Sequence, residues 1–321
     1  MTLLSPDMVA PVKQDLDETL AALDRMLLGR TDLHRLVLAG ILARGHILLE
    51  GLPGLGKTAL IRALAQILDL DFKRIQFTPD LMPSDILGAH ILETDVNGNR
   101  SMAFKPGPVF CNLLLADEIN RASPKTQSAM LETMQERTVT LMGVTRPLPN
   151  PFFVLASQNP IELEGTYPLP EAQTDRFLFK LPVEPLDAPT LTAIITTRAH
   201  GEMPQSGFTF RRESLARAFE TVGKVLLPDA VADWIGRLVA ATHSAAHVTC
   251  GASPRAAIAM AESSRALALM DGRPSVGFDD VRAVAFPVLN HRLILDYRAK
   301  LDGIDTRSVI DGLLGSVPVA E

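Results

Sequence analysis

The sequence predicts a mostly parallel α/β sheet with helices on both faces, followed by an all-helical domain. Three features carry that expectation. Gly51-Leu52-Pro53-Gly54-Leu55-Gly56-Lys57-Thr58 sits between a short apolar run and an apolar helical pattern. Short apolar runs then alternate with helical periodicity as far as Leu181. Beyond Pro182-Val183-Glu184-Pro185 only helical patterns follow, which places the boundary near residue 185 and divides 1–185 from 186–321.

Within the first part, residues 13–28 put Leu16, Leu20, Leu23 and Leu27 at helical spacing, and Gly29 can end that helix. A second helix, about 32–43, leads to a strand at 46–50. Residues 58–68 read as the helix leaving the glycine-rich loop, and 72–77 alternate as a strand. Residues 78–88, with Pro79 and Pro83, read as a loop and a short helix. Asn97-Gly98 signals a hairpin turn between Ile91-Leu92 and Met102-Ala103-Phe104, and Lys105-Pro106-Gly107-Pro108 reads as another turn. The continuous apolar run 113–116 has the look of a strand buried on both faces, ending in Asp117-Glu118. Ser123 as N-cap and Pro124 at the first helical position start a helix to about Arg137. A second hairpin is expected around Met142-Gly143, and runs at 152–156 and 177–181 complete five strands. Helices then follow at about 188–200, 211–225, 228–247, 254–270, 278–289 and 305–314.

Composition narrows the class. The chain has 321 residues, of which 47% are hydrophobic, enough for a sizeable core. A net charge of −6 argues against a protein that coats nucleic acid through phosphate contacts. Cys111 and Cys250 lie far apart and do not suggest a disulfide framework. There is no basic-then-apolar leader and no apolar run of about 18 residues, so a soluble cytoplasmic protein with no membrane span is expected.

The loop fits G-x-x-x-x-G-K-[ST], whose backbone N–H groups and helix N-terminus cradle phosphates. Residues Gly51 to Thr58 and the adjoining Ala59 are therefore the nucleotide-binding candidates. Lys57 offers a point charge to the outer phosphates, and the Thr58 hydroxyl can ligate Mg²⁺. Asp117 can complete the Mg²⁺ shell, and Glu118 is placed to orient and polarise a water. Asn159, just past the next strand, could bond that water or the γ-phosphate. Arg176, before the last strand, could stabilise transition-state charge on a neighbouring subunit's nucleotide, against the plainer reading of an ion pair with Asp175 or Glu171. Arg255, after Ser253-Pro254, could sense phosphate from the helical domain. His243, His247 and Cys250 have partial metal-ligand spacing, but no fourth ligand is identified, and histidines in a last helical turn are accounted for by the helix dipole.

These residues resemble the MoxR-type AAA+ ATPases. The matching phrases are GHILLEGLPGLGKT (45–58), RIQFTPDLMPSDILG (74–88), FKPGPVFCNLLLADEINRASPKTQSAMLETMQERTVT (104–140), FFVLASQNPIELEGTYPLPEAQTDRFLFK (152–180), GASPRA (251–256) and LNHRL (289–293). The first 44 residues match only loosely. The resemblance implies an AAA+ core with a five-stranded parallel sheet and two β-hairpin insertions, as in the branch that includes magnesium chelatase and the MCM helicases, followed by a helical lid. It makes Lys57 and Thr58 Walker A, Asp117 and Glu118 Walker B, Asn159 sensor 1, Arg176 the arginine finger and Arg255 sensor 2. Ser157 and Thr174 depart from the commoner Thr and Leu without removing a charge or a phosphate contact.

The resemblance further implies Mg²⁺-dependent ATP hydrolysis in a ring, as a hexamer, that drives remodelling, maturation or metal-cofactor insertion of a client protein, often with a von Willebrand factor A-domain partner. A DNA motor is the rival within the same branch. It needs basic hairpin tips, and here the first tip offers Arg100 and the second region Arg146. A nucleotide-gated scaffold without hydrolysis is the third reading, and the intact Glu118 argues against it.

Overall fold

A computed structural model describes residues 4–94, 99–160, 166–198 and 204–319. The chain begins with α1 (Pro6–Met26), α2 (Thr31–Leu42), β1 (Ile47–Glu50) and α3 (Lys57–Leu68). Next come β2 (Phe72–Gln76), α4 (Pro83–Leu87), β3 (Gly88–Thr94), β4 (Arg100–Pro106) and β5 (Leu113–Asp117). They are followed by α5 (Pro124–Glu136), β6 (Thr138–Leu141), β7 (Val144–Pro147), β8 (Phe153–Gln158), α6 (Glu171–Thr174) and β9 (Phe179–Pro182). The remainder is α7 (Ala188–Thr197), α8 (Arg212–Lys224), α9 (Asp229–Ala241), β10 (Val248–Cys250), α10 (Pro254–Met270), α11 (Phe278–Leu289), β11 (Ile294–Leu295), α12 (Tyr297–Leu301) and α13 (Thr306–Ser316).

The five-stranded sheet has the order β2-β5-β8-β1-β9, and every pairing in it is parallel. Its strands alternate between two cores. Ile47, Leu49, Leu113, Leu115, Phe153 and Leu155 join one apolar cluster, while Leu48, Leu114, Ala116, Val154 and Ala156 join the other. This is the period of two that a strand covered on both faces requires. The first cluster also takes in Leu16 and Leu23 of α1, Ile61 and Leu64 of α3, Trp234 of α9 and Met260 and Leu267 of α10, so one core runs from the sheet into the helical part.

Two antiparallel hairpins leave this framework. In the first, β3 pairs with β4 from Gly88↔Pro106 to Thr94↔Arg100. The expected Asn97-Gly98 turn lies outside the described residues. The expected turn at 105–108 is partly corrected, since Lys105 and Pro106 still pair in the strand. The second hairpin, β6 with β7, turns at Met142 and Gly143, both with positive φ.

Several elements differ from expectation, the short helices α6 and α12 among them. α1 starts at Pro6 rather than residue 13, because Val9 and Val12 extend the buried stripe of Leu16 and Leu23. α9 ends at Ala241 rather than 247. The Thr242 hydroxyl bonds the Val239 carbonyl and accepts the Ala252 N–H at 2.9 Å, turning the chain out of the helix. The helical part also holds a small antiparallel ribbon, β10 with β11. Strands of three and two residues are too short to show a period in sequence.

His46 pins the start of β1. Its Nδ1 accepts the Val154 N–H at 3.0 Å, and its Nε2–H donates to the Met134 carbonyl at 3.0 Å. Burial pushes its pKa down to about 4, so the folded chain holds it neutral. The unfolded chain binds a proton near the ordinary 6.5, so this contribution is complete above that value and is lost as pH falls towards 4. The loss amounts to about 3 kcal/mol at most. We expect urea denaturation to show that slope, and His46→Gln to flatten it between pH 6.5 and 4. An unchanged slope in the variant would refute this assignment.

Candidate nucleotide site

The loop 51–56 joins β1 to α3 at the carboxyl end of the sheet, where α/β folds gather ligands. Gly54 and Gly56 have φ of +81° and +82°, and a Cβ on either would meet nothing within 4 Å. The backbone is thus left-handed and open on the side where phosphate would approach. Gly51 is required for another reason: a Cβ there would lie 2.6 Å from the Val183 carbonyl oxygen of β9's continuation. Lys57 is buried and curls back to donate to the carbonyls of Gly51 and Leu52. Burial lowers its pKa, opposed by the charges of Asp117, Glu118 and Glu50.

Asp117 ends β5 beside this loop. Its Oδ2 accepts from the Thr58 hydroxyl at 3.4 Å and pairs with Arg74 at 2.8 Å, and its Oδ1 accepts from the Ser157 hydroxyl at 2.6 Å. The Ser157 oxygen in turn accepts the Glu118 N–H at 2.9 Å. That bond helps hold Glu118 in a left-handed conformation, φ 56°, at the strand end. The Glu118 carboxylate takes Gln76 Nε2 at 2.8 Å and Arg121 Nη1 at 3.0 Å. Hard oxygen donors from Thr58 and Asp117 converge, and Mg²⁺ commonly takes one or two protein oxygens together with phosphate and water. The donor set therefore fits Mg²⁺, and the loop fits a nucleoside phosphate.

Asn159 is buried one residue past β8, whose Gln158 stands opposite Glu50 of β1. Its carbonyl accepts from Asn120 at 3.2 Å, and the Gln158 carbonyl accepts the Gly51 N–H at 3.2 Å. Asn159 therefore sits on the loop's side of the sheet.

A cavity of about 320 Å³ opens on Gly54–Lys57 and Ala59. Leu33, Val183, Leu191 and Ile194 give it apolar walls, with Arg30 and Arg198 at its margin. Such a chamber suits a base and ribose beside a phosphate loop. A larger cavity of about 680 Å³ lies next to it against α11 and α13, but no residue of the loop lines it.

Arg176 and Arg255 stand elsewhere. β1 and β9 run parallel from Ile47↔Phe179 to Glu50↔Pro182. Arg176 precedes β9 and the loop follows β1, so the length of a four-residue strand, about 10 Å, separates them. Arg255 pairs with Asp175 at 3.5 Å and joins Arg176, Arg44 and Arg137 around a cavity of about 290 Å³ at the amino end of β1. Within this chain the partner of Arg255 is therefore the Arg176 segment, not the loop. Arg176 makes no ion pair with Asp175 or Glu171, and its Nε is buried without a partner among the described residues.

Sequence reasoning passed over Arg74, Gln76, Arg121 and the part played by Ser157. Arg74 and Gln76 are two apart on β2, so one strand face carries both, a signal the alternation contained. His243 Nε2–H donates to the Ala252 carbonyl at 3.1 Å and His247 lies 3.8 Å from Asp296, which gives both histidines local partners. Arg146 lies 4.0 Å over the Phe104 ring and joins the two hairpins. No helix among the described residues is long and apolar enough to cross a membrane.

A model of the ATPase family associated with various cellular activities matches residues 46–179, and an AAA lid domain model matches 240–313. Chaperone MoxR1 of Mycobacterium tuberculosis is 42% identical over 95% of this chain and 82% of its own length. An uncharacterised Bacillus subtilis protein, YeaC, is 42% identical over 92% of each chain, and Protein MoxR of Paracoccus denitrificans is 31% identical over 93% and 94%. A crystal structure from Cytophaga hutchinsonii, named as a candidate ATPase, superposes with a TM-score of 0.90 at 39% identity over 98% of both chains. The likeness spans the loop, the carboxylate-bearing strand and the helices beyond, and the chain belongs to the MoxR family of AAA+ ATPases.

Proposed function

We propose that this chain hydrolyses ATP to ADP and phosphate with Mg²⁺, at a site completed by the next subunit of a ring, as a hexamer. The observation that carries this reading is the split between the two ends of the sheet. Lys57, Thr58, Asp117, Glu118 and Asn159 gather at the carboxyl end, while Arg176 and Arg255 gather at the amino end. In this reading residues 1–185 form the nucleotide core and 186–321 the lid.

The loop N–H groups and Lys57 hold the phosphates, and Thr58 and Asp117 hold Mg²⁺. When bound, Mg²⁺ neutralises phosphate charge. Glu118 orients a water in line with the γ-phosphate and takes its proton, while Gln76 and Arg121 hold its Oε2. Asn159 bonds that water or the γ-phosphate. Arg176 and Arg255 of the adjoining chain meet the charge that develops on the phosphate.

The work done with that energy is the remodelling or maturation of a client protein in the cytoplasm, metal-cofactor insertion included, with a von Willebrand factor A-domain protein as partner. Both hairpins support client contact. They expose Leu92, Met102, Met142 and Val144, and unbranched, polarisable methionines adapt to varied surfaces.

Phosphate release per subunit is expected to climb with protein concentration in ATP and Mg²⁺. Arg176→Ala should lower the rate by about 10³-fold with nucleotide binding kept, whereas Lys57→Ala should lose binding. A strictly monomeric sample at full rate, or indifference to Arg176→Ala, would refute the shared site. Ser157→Ala should cost about 1–3 kcal/mol of stability, since it strips a buried donor from Asp117, and should raise the Mg²⁺ concentration needed for half-maximal rate. An unaltered denaturation midpoint and Mg²⁺ dependence would show that Ser157 does not position the carboxylate.

A further inference from the structure

The phrase 289–293, LNHRL, takes no part in the nucleotide chemistry above. Its side chains reach from the end of α11 to the segment that carries Arg176. Arg292 donates through Nε to Asp175 Oδ1 at 2.8 Å, and through Nη2 to the carbonyls of Asp175 at 3.0 Å and Phe177 at 2.6 Å. Its Nη1 serves the carbonyls of Leu178, at 3.2 Å, and Val288. These five bonds use the full donor capacity of a guanidinium. His291 Nε2–H donates to the Phe177 carbonyl at 3.1 Å, and Asn290 Nδ2 donates to the Lys180 carbonyl at 2.9 Å.

Asp175 is the joint. The same carboxylate that receives Arg292 accepts the Ser253 hydroxyl at 3.1 Å and pairs with Arg255 at the start of α10. The residue before Arg176 is thus bound both to the end of α11 and to the helix that carries Arg255. The Arg292 side chain is only 3% exposed, so it acts through these partners and not on a ligand. Burial lowers its pKa, which Asp175 opposes; a buried guanidinium needs that carboxylate.

We propose that Arg292 is a positioning residue. Through Asp175 and the 175–178 carbonyls it fixes the Arg176 segment to the helical domain. Arg176 and Arg255 are then delivered to a neighbouring chain's nucleotide as one rigid unit. The proposal rests on the shared site described above. Its physical logic is that charge stabilisation depends steeply on placement, and two arginines almost eighty residues apart in sequence keep a fixed spacing only if their supports are tied.

The test mixes full-length variant chains in equal amounts before assembly and measures phosphate release. A Glu118→Gln chain keeps a sound arginine face but a defective nucleotide site, and an Arg176→Ala chain is the reverse. Their mixture should recover roughly a quarter of the wild-type rate, because one heterologous contact in four joins a sound face to a sound site. Arg292→Ala should recover to the same level with Glu118→Gln, should recover nothing with Arg176→Ala, and should bind a fluorescent ATP analogue as the wild type does. If Glu118→Gln is rescued by Arg176→Ala but not by Arg292→Ala, the clamp is overturned and the shared site stands. Recovery between Arg292→Ala and Arg176→Ala would also overturn it. If Glu118→Gln and Arg176→Ala do not rescue each other, the shared site falls and the clamp with it. Should Arg292→Ala fail to fold, the isosteric Asp175→Asn takes its place in the same mixtures, and the same patterns of rescue support or overturn the clamp.

Discussion

The parallel pairing of β1 with β8 on one side and β9 on the other is the constraint from which the site follows. In a parallel sheet every strand enters at one edge and leaves at the other, because each crossover returns the chain to the same side. The carboxyl edge therefore collects Gly51, Asp117, Glu118 and Asn159, each from the end of a strand. The amino edge collects Arg44, His46 and Arg176. One four-residue strand keeps the two groups apart in this chain.

At the carboxyl edge the chemistry is held by a short relay of hydrogen bonds. Ser157 connects the Asp117 carboxylate to the Glu118 amide, which fixes two consecutive acids in different directions. Holding Glu118 left-handed costs roughly 1–2 kcal/mol, and the Ser157 bond helps offset it. Arg74 and Gln76 reach the same two acids from the edge strand. Lys57 faces three acids from a buried position, and their charges oppose the lowering of its pKa that burial imposes.

The helical part is joined to the sheet in two ways of different character. Apolar packing continues from α3 through α1 to α10 without a break, which is non-directional and tolerates small shifts. The bonds of Asn290, His291 and Arg292 to 175–180 are directional and set a distance. The hairpins, by contrast, are tied to each other through Arg146 on Phe104 and keep their methionines exposed. The arginine end is thus held by directional bonds, while the hairpins present exposed, adaptable side chains.

Local chemistry determined much of this before any fold was known. The loop 51–58 needs only its own glycines and flanking periods to be legible, and the N-cap of α5 at Ser123 or the turn at Met142-Gly143 likewise depends on neighbours in sequence. Strands β1, β5 and β8 were readable because burial on both faces makes each a continuous apolar run, whereas β2 was readable by its alternation. What tertiary structure alone decided is which distant residues share a carboxylate. Arg74 with Asp117, Gln76 with Glu118, and Arg292 and Arg255 with Asp175 are pairings across 43, 42, 117 and about 80 residues, set by sheet order and helix packing. No local period encodes them. For that reason the sequence could nominate Arg255 as a phosphate sensor, but only the fold could set it beside Arg176 and away from its own chain's loop.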